Sequence, residues 1–209
     1  MRLIVFGASK GVGRRVTELA LSEGHQVTAV VLDPSTFAAN HESLEVVAGD
    51  VTDADSVRRC LRGHDVAFCT VGARNRGATT LYSSAARNIA SAMDDQQARR
   101  LMFLSNFGVL AEKPSDVRTG GILLFARLTL RPWLEDHRRA LDELRNHDCE
   151  WIAVRPVRLT DGPRSGHYRV VMDGLPKGGT SISRADVADF MLKQLTSNEY
   201  VHRIPAIAY

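Results

Sequence analysis

The residues with the clearest chemical meaning form a glycine-rich loop near the start of the chain. The loop runs Gly7-Ala8-Ser9-Lys10-Gly11-Val12-Gly13, directly after a short apolar run and directly before apolar residues at helical spacing. Glycines in such a turn let the backbone approach a pyrophosphate closely, and the free N–H groups of a helix N-terminus attract its negative charge. The loop therefore predicts a dinucleotide-binding site whose ligands are Gly7, Ser9, Lys10, Gly11, Val12 and Gly13.

Two charged residues bear on which dinucleotide the loop would bind. An acid at the end of the second strand would hydrogen-bond the ribose hydroxyls of NAD, and Asp33 lies close to that position. Lys10 instead offers a point charge for the 2′-phosphate of NADP, unless it only faces solvent. We therefore favour NADP(H) as the cofactor, with NAD(H) as the alternative.

Candidate catalytic residues follow two later apolar runs. Ser105 comes directly after residues 100–104, where its hydroxyl could hydrogen-bond the nicotinamide carboxamide or the substrate, or merely satisfy backbone groups. Arg158 follows residues 151–154 and could pair with a carboxylate or phosphate of the substrate, or be a surface arginine. The sequence contains no metal-ligand cluster, no GxSxG motif and no Walker lysine followed by Ser or Thr.

A proton-donating tyrosine with its lysine partner is missing. The residues four positions after Tyr82, Tyr168 and Tyr200 are alanine, methionine and isoleucine, so none of these tyrosines has the lysine that would lower its pKa. An extended conjugated acceptor makes weaker demands, because it delocalises the transferred charge and can take its proton from water. The absence therefore favours a planar acceptor, such as a flavin, a tetrapyrrole or a quinone, over a simple ketone.

Strands and helices alternate along the whole chain. Apolar runs predict strands, and helical spacing predicts helices, at these positions: strands over 3–6, 26–32, 44–47, 65–69, 100–104 and 151–154, and helices over 12–24, 54–61, 79–93, 132–146 and 184–195. Near-continuous apolar strands in alternation with helices indicate a parallel sheet that is covered on both faces. We therefore predict a single α/β domain over residues 1–209, a doubly wound Rossmann-type sheet that binds ligands at the carboxyl ends of its strands.

One segment departs from this alternation. Residues 108–131 contain Gly120 and Gly121 followed by the apolar run 122–125, and they come directly after the fifth strand. The segment should overhang the ligand crevice as a lid or substrate wall. The alternative is a helix that packs on the domain or on a second subunit.

Composition narrows the remaining function classes. The chain has 209 residues, a net charge of only +3 and arginines spread along its length, so nucleic acid is not an expected partner. It has no apolar run long enough to span a bilayer. Its three cysteines lack CxxC and zinc-ligand spacing, which indicates a reducing cytoplasm. The expectation is a cytoplasmic monomer or homodimer that acts on a small planar substrate, with no membrane association.

The order and spacing of several short motifs resemble a known family. The motifs are Gly49-Asp50-Val51-Thr52-Asp53, Gly72-Ala73-Arg74-Asn75, Ala86-Arg87-Asn88-Ile89, Ala153-Val154-Arg155-Pro156 and Gly166-His167-Tyr168. In these the chain resembles the atypical short-chain dehydrogenase/reductases with NAD(P)H-binding, NmrA-like domains, and among them the flavin and biliverdin reductases. The resemblance implies hydride transfer from NADPH to a flavin or a linear tetrapyrrole that stacks on the nicotinamide.

The resemblance also implies positions for the cofactor. Asp50 and Val51 would lie by the adenine, and Ser105 would lie beside the nicotinamide and the substrate. The ribose would lie against residues 70–72, and the predicted cofactor site then includes Thr70, Val71, Gly72, Arg74 and Pro156.

Departures from the family pattern concern the cofactor as well as the substrate, and they include a segment after Ser105 that is longer here by about a dozen residues. Leu32 stands where the family has an arginine that binds the 2′-phosphate, Arg158 replaces a histidine and Leu110 replaces an aromatic residue. The loop spacing of Gly7, Gly11 and Gly13 also resembles that of the Tyr-Lys-dependent reductases. Cofactor binding therefore carries over better than substrate identity does. A non-catalytic NAD(P) sensor that binds a protein partner, and a biosynthetic tailoring oxidoreductase, remain as alternative functions.

Overall fold

A computed structural model describes residues 1–73, 77–96, 98–110 and 131–209 of the chain. The strands are β1 (Arg2–Phe6), β2 (Gln26–Val31), β3 (Leu44–Ala48), β4 (Val66–Cys69), β5 (Arg100–Leu104), β6 (Glu150–Pro156), β7 (Arg158–Thr160), β8 (Arg169–Val171), β9 (Ser181–Ser183) and β10 (Ala206–Ala208). The helices are α1 (Gly11–Ser22), a 3₁₀ turn (Pro34–Thr36), α2 (Ala54–Leu61), α3 (Leu81–Gln96), α4 (Arg131–Leu144) and α5 (Arg184–Lys193).

The main sheet has the strand order β3-β2-β1-β4-β5-β6-β10-β8. Neighbouring strands from β3 to β10 are parallel, and β8 pairs antiparallel with β10 at the edge. The chain moves outward from β1 in one direction to β3 and then in the other from β4, so the order reverses between β1 and β4. This arrangement confirms the doubly wound, Rossmann-type fold and puts the expected ligand crevice beyond the ends of β1 and β4.

Burial on both faces of the sheet explains why its strands appear as unbroken apolar runs. In β1, Leu3 and Val5 face the core that α1 and α5 cover, whereas Ile4 and Phe6 face the core under α2, α3 and α4. All four side chains are at most 1% exposed. Successive residues of a strand point to opposite faces, so a strand that is covered twice must be apolar at every position.

The predicted elements agree with the structure, with small changes at their ends. The helix predicted over 79–93 begins at Leu81, because the hydroxyl of Thr79 accepts a hydrogen bond from the Leu81 N–H at 3.1 Å and so caps the helix. None of the described helices combines the length and apolar character needed to cross a bilayer.

The short strands after residue 157 were not predicted. β7, β8, β9 and β10 have three residues each, too few for an alternating pattern to stand out. β7 and β9 form a separate two-stranded parallel sheet, and β8 extends the main sheet through β10. The C-terminal part of the chain therefore carries a small added layer beside the crevice.

A buried carboxylate joins α4 to the start of α3. Asp136 on α4 is fully buried, and its two oxygens accept hydrogen bonds from the Tyr82 N–H at 2.9 Å and from the Ser83 hydroxyl at 2.6 Å. An acid at a helix N-terminus satisfies free N–H groups and complements the positive end of the helix dipole. Asp136 thus adds an acceptor from a neighbouring helix to the local cap by Thr79.

We predict that Asp136→Ala destabilises the fold by about 2 kcal/mol, because it leaves the start of α3 buried without its acceptor. Unfolding by urea, followed by far-ultraviolet circular dichroism, measures this change. The matched control is Asp142→Ala on the same helix, since Asp142 is half exposed and its ion pairs with described residues are those with the exposed Arg138 and Arg145. Equal losses in the two variants would contradict the capping role.

Candidate cofactor and substrate site

The glycine loop lies where the sheet order reverses, pressed against the end of β4. A Cβ atom on Gly7 would be 2.8 Å from the Val71 nitrogen. A Cβ atom on Gly13 would be 2.9 Å from the Gly7 carbonyl carbon and closer still to the Thr70 hydroxyl. Gly7 also has a positive φ of 84°, which other residues adopt only with strain. Glycine is therefore required at both positions to bring the start of α1 down onto the sheet.

The first turn of α1 is open to an anion. Lys10 occupies the N-cap position with an extended backbone, and its side chain makes no capping hydrogen bond. No acidic residue lies in the first turn. The N–H groups that begin an α-helix have no partner within the helix, and they carry the positive end of its dipole. The loop thus provides the donors that a pyrophosphate needs.

The end of β2 presents one acid and one exposed apolar side chain. Asp33 Oδ1 accepts hydrogen bonds from the Ser35 N–H at 3.0 Å and from the Ser35 hydroxyl at 2.7 Å, so this carboxylate caps the 3₁₀ turn. Leu32 beside it is 69% exposed. The assignment of Asp33 as a ribose ligand stays a prediction, and only its second oxygen is left for that role.

Arg14 lies at the same edge, and the sequence analysis did not single it out. Its guanidinium stands 4.6 Å from the centroid of the Phe37 ring and donates to the Ala38 carbonyl oxygen at 3.3 Å. Its Nε also donates to Glu18 at 2.8 Å. Arg14 follows the last glycine of the loop directly, and this adjacency is the signal that could have identified it. The edge that follows β2 therefore holds the Arg14 cation, which is also paired with Glu18.

The predicted adenine residues lie at the end of β3. Asp50 Oδ1 accepts hydrogen bonds from the Thr52 N–H and hydroxyl, both at 2.8 Å, and so forms a tight turn. The Asn88 side chain donates to the Val51 carbonyl oxygen at 2.9 Å and ties this turn to α3. These contacts fix the backbone at the edge of the crevice, and contact with an adenine stays a prediction.

The predicted ribose residues continue β4. The Thr70 hydroxyl donates to the Phe6 carbonyl oxygen at 2.9 Å, which locks the ends of β1 and β4 together. Val71 borders the loop, and no described atom lies within 4 Å of a Cβ built on Gly72. The chain therefore opens into free space immediately after β4. Arg74 lies outside the described residues.

Ser105 carries the most informative polar atom in the site. The residue is 4% exposed, and its N–H donates to the Val154 carbonyl oxygen at 2.8 Å. Its hydroxyl oxygen, by contrast, is buried and has no hydrogen-bond partner in the part of the chain that the structure describes. A buried hydroxyl without a partner costs about 1–3 kcal/mol, and such groups are rare in native structures. A bound ligand at this position could supply the missing hydrogen-bond partner of the hydroxyl.

The end of β6 completes the crevice. The buried Pro156 ends the strand, and its carbonyl oxygen accepts a hydrogen bond from the Phe107 N–H at 3.2 Å. Arg158 begins β7 with an exposed side chain that forms no ion pair with any described carboxylate. Residues 111–130, most of the predicted lid, lie outside the described residues. The catalytic roles of Ser105 and Arg158 stay predictions.

A tyrosine and a lysine do meet in space, although not at the spacing of a catalytic pair. The Tyr168 hydroxyl donates to Asp189 at 2.8 Å, and Lys193 Nζ lies 2.7 Å from the same carboxylate. Burial, together with the nearby Asp189, raises the pKa of Tyr168 far above its usual range. A tyrosine that donates a proton in catalysis needs a lowered pKa. The contacts of Tyr168 with Asp189 and Lys193 therefore have the features of a structural cluster.

His137 is likewise a structural residue. It is 2% exposed, neither ring nitrogen has a partner among the described residues, and burial lowers the pKa of this histidine to about 3. The neutral ring stacks on Tyr82 with 3.7 Å between centroids. The Tyr82 hydroxyl in turn accepts hydrogen bonds from the Ala73 N–H at 3.0 Å and from Trp133 at 2.9 Å. This aromatic cluster holds the chain that leaves β4 at the crevice.

A dinucleotide therefore fits the residues present. Gly7 and Gly13 allow the start of α1 to pack against the end of β4, and the first turn of α1 offers N–H groups without a partner inside the helix. The Ser105 hydroxyl has no partner among the described residues. A model of the NAD(P)H-binding family matches residues 7–198. The match begins at the first glycine of the loop and contains every predicted site residue.

Three solved structures share the fold along the whole chain. SP1627, a candidate NADH-flavin reductase from Streptococcus pneumoniae TIGR4, is 22% identical, with a TM-score of 0.81 over 100% of this chain and 99% of its own. ChuY, an anaerobilin reductase from Escherichia coli O157:H7, is 21% identical, with a TM-score of 0.79 over 100% and 97%. A wide-type short-chain dehydrogenase/reductase from Veillonella parvula DSM 2008, in complex with NADP, is 16% identical, with a TM-score of 0.84 over 100% and 94%. At these identities the likeness shows the shared fold.

We predict that Gly13→Ala destabilises the fold by about 1–3 kcal/mol and abolishes cofactor binding, because the added methyl group forces α1 away from β4. Urea unfolding and calorimetric titration with NADPH measure the two effects. Gly162→Ala is the control, since its Cβ would meet only ordinary contacts at 3.6 Å or more. Normal NADPH binding by the Gly13 variant would show that the close approach is dispensable.

Proposed function

This chain belongs to the NAD(P)H-binding family, and we propose that it is an NAD(P)H-dependent reductase that transfers hydride to a planar conjugated acceptor of flavin, tetrapyrrole or quinone type. The bound cofactor would supply the hydride from its reduced nicotinamide ring. The observation that carries the proposal is the buried hydroxyl of Ser105 at the end of β5, which has no hydrogen-bond partner among residues 1–73, 77–96, 98–110 and 131–209. It lies on the opposite side of the switch point from the adenosine residues, where a nicotinamide ring would be expected.

The glycine loop and the cations beside it would hold the cofactor. The N–H groups at the start of α1 would bind the pyrophosphate, and Lys10 would reach the 2′-phosphate of NADP. Arg14 adds a second positive charge at the edge where the adenosine would lie. Asp33 favours NAD, but one of its oxygens already accepts two hydrogen bonds from Ser35. These charges support NADP(H) as the preferred cofactor.

Ser105 would orient the nicotinamide and the acceptor. Its hydroxyl can donate to a carbonyl oxygen and accept from an amide, the two groups that a carboxamide offers. Holding the two reactants in line lowers the barrier without any proton transfer by the protein. Arg158 would bind an anionic group of the acceptor, since its guanidinium is exposed and makes no ion pair with a described residue.

We base the proposed class of acceptor on two observations. The described residues contain no tyrosine–lysine pair suited to donate a proton, and two structural relatives are linked to planar molecules. In the described residues, the tyrosine that meets a lysine has a raised pKa and is unsuited to donate a proton to an alkoxide. An acceptor that delocalises the charge needs no such donor. SP1627 and ChuY, which share the fold, are associated with a flavin and with anaerobilin. The three free cysteines fit a reducing cytoplasm as the place of action.

We predict that the purified protein oxidises NADPH in the presence of at least one acceptor among FMN, FAD, biliverdin and a quinone. The loss of absorbance of the reduced cofactor, with NADH run in parallel, measures turnover. Ser105→Ala should lower turnover by about tenfold or more, because the hydrogen bond that orients the ring is lost. The same change should stabilise the cofactor-free protein by about 1 kcal/mol, because a buried unpaired hydroxyl is removed.

The control is Ser22→Ala at the exposed end of α1, which should leave turnover unchanged. Unchanged turnover in the Ser105 variant would overturn the role of that residue. Cofactor binding without turnover of any acceptor would favour a dinucleotide sensor over an enzyme, and a protein recovered with the chain would then become the partner to identify.

We predict that Lys10→Ala raises the dissociation constant of NADPH about tenfold and leaves that of NADH unchanged, because only NADPH carries the 2′-phosphate. Calorimetric titration with each cofactor measures the ratio. Arg15→Ala is the control, since Arg15 is an exposed helix residue that pairs with Glu18 at 3.0 Å. If both cofactors lose affinity equally, Lys10 contacts a group that they share.

A further inference from the structure

The two-stranded sheet places an acid and a base side by side. In its register Thr160 of β7 lies opposite Ser183 of β9, so the next residue of each strand, Asp161 and Arg184, emerges at the same end. The two side chains form an ion pair of 2.8 Å between Arg184 Nη1 and Asp161 Oδ1. They are separated by 23 positions in the sequence, so only the added sheet brings them together.

Arg184 also extends over the glycine loop. The nearest atom to a Cβ built on Gly11 is the Nε of Arg184, at 4.0 Å. Gly11 is the first residue of α1, and Arg184 is the first residue of α5, which packs on the same face of the sheet as α1. The guanidinium therefore lies close to the first residue of α1.

Hydrogen bonds hold the backbone at the start of α5, where Arg184 lies. The buried carboxylate of Asp186 accepts hydrogen bonds from the Ser165 and Gly166 N–H groups, both at 2.8 Å, and from the Tyr209 hydroxyl at 2.6 Å. The Ser183 hydroxyl, which caps α5, accepts from the Asp186 N–H at 2.9 Å. The backbone that carries Arg184 is thus fixed on both sides, while the long side chain beyond it can still turn.

The ion pair between Asp161 and Arg184 is weak enough to be exchanged for another partner. Asp161 is 80% exposed and Arg184 is 28% exposed, and exposed pairs of this kind contribute little to stability. A pyrophosphate offers several charged oxygens to a guanidinium, in a geometry that allows two parallel hydrogen bonds. A phosphate bound on the loop would therefore compete successfully with the single carboxylate for Arg184.

We propose that Arg184 is a clamp on the cofactor's pyrophosphate, and that Asp161 holds the arginine over the glycine loop until the cofactor takes its place. The inference rests on the proposed function, since it concerns the same cofactor. The β7–β9 sheet would then have a role in binding, because it brings a cation from the C-terminal part of the chain to the N-terminal loop. Binding exchanges one ion pair for another and involves no covalent step.

The test compares the dissociation constants of NADPH and NADH for the full chain and its variants by calorimetric titration. Arg184→Ala should weaken both cofactors by the same factor, about tenfold or more, because both carry the pyrophosphate. Arg184→Lys should lose less, since it keeps the charge but not the paired donors. Arg164→Ala is the matched control, an exposed arginine of the same region that lies 3.8 Å from Glu23 and should bind both cofactors normally.

A second variant tests the holding role of the acid. Asp161→Asn should bind both cofactors more tightly than the unaltered chain, because the competing carboxylate is gone. Weaker binding by this variant would overturn the exchange. Loss of NADPH binding alone in Arg184→Ala would overturn the assignment to the pyrophosphate, and unchanged binding of both cofactors would overturn the clamp.

The outcomes separate this inference from the proposed function. If the unaltered chain binds neither cofactor, the proposed function fails at its first step. If the unaltered chain binds and turns over cofactor while Arg184→Ala, shown to be folded by its melting curve, binds equally well, only the clamp fails.

Discussion

Gly13 and Thr70 lie so close together that no side chain fits between the start of α1 and the end of β4. The rest of the site depends on this contact. It brings the positive end of the helix onto the sheet at the point where the strand order reverses, and the Thr70 hydroxyl ties β4 to Phe6 of β1 at the same place. The glycines thus serve the packing of the fold, and the same geometry would serve the proposed recognition of a pyrophosphate.

Buried polar contacts then hold the outer elements around this centre. Arg100 is fully buried in β5, and its guanidinium donates to the carbonyl oxygens of Gln194 at 2.5 Å and Ser197 at 2.7 Å, where α5 has ended. It also pairs with Glu150 of the neighbouring strand. A buried cation of this kind is tolerated only because its donors are satisfied. The contact fixes the far end of α5, just as the Asp186 network fixes the end that carries Arg184.

Local patterns in the sequence predicted the parts of the molecule that local physics determines. The doubly buried strands and the glycine loop could be found because apolar runs and turn residues act over a few positions. Arg184 and Asp161 could not be found, since neither belongs to a motif and a three-residue strand leaves no periodic signal. Arg14 was missed for a related reason, because the Phe37 ring that it contacts follows a different element of the chain.

This division also explains why the cofactor is easier to infer than the acceptor. The phosphate groups of a dinucleotide are recognised by backbone N–H groups and by cations next to one loop, which a single short motif encodes. The proposed acceptor would instead meet side chains from separate strand ends, such as Ser105 and Arg158. A buried neutral hydroxyl after β5 and an exposed cation after β6 would suit a planar molecule with an anionic substituent, since the ring would exclude water while the charge stays at the rim. For the proposed reductase, flavin mononucleotide, or a tetrapyrrole that carries carboxylates, is therefore a better candidate than an uncharged quinone.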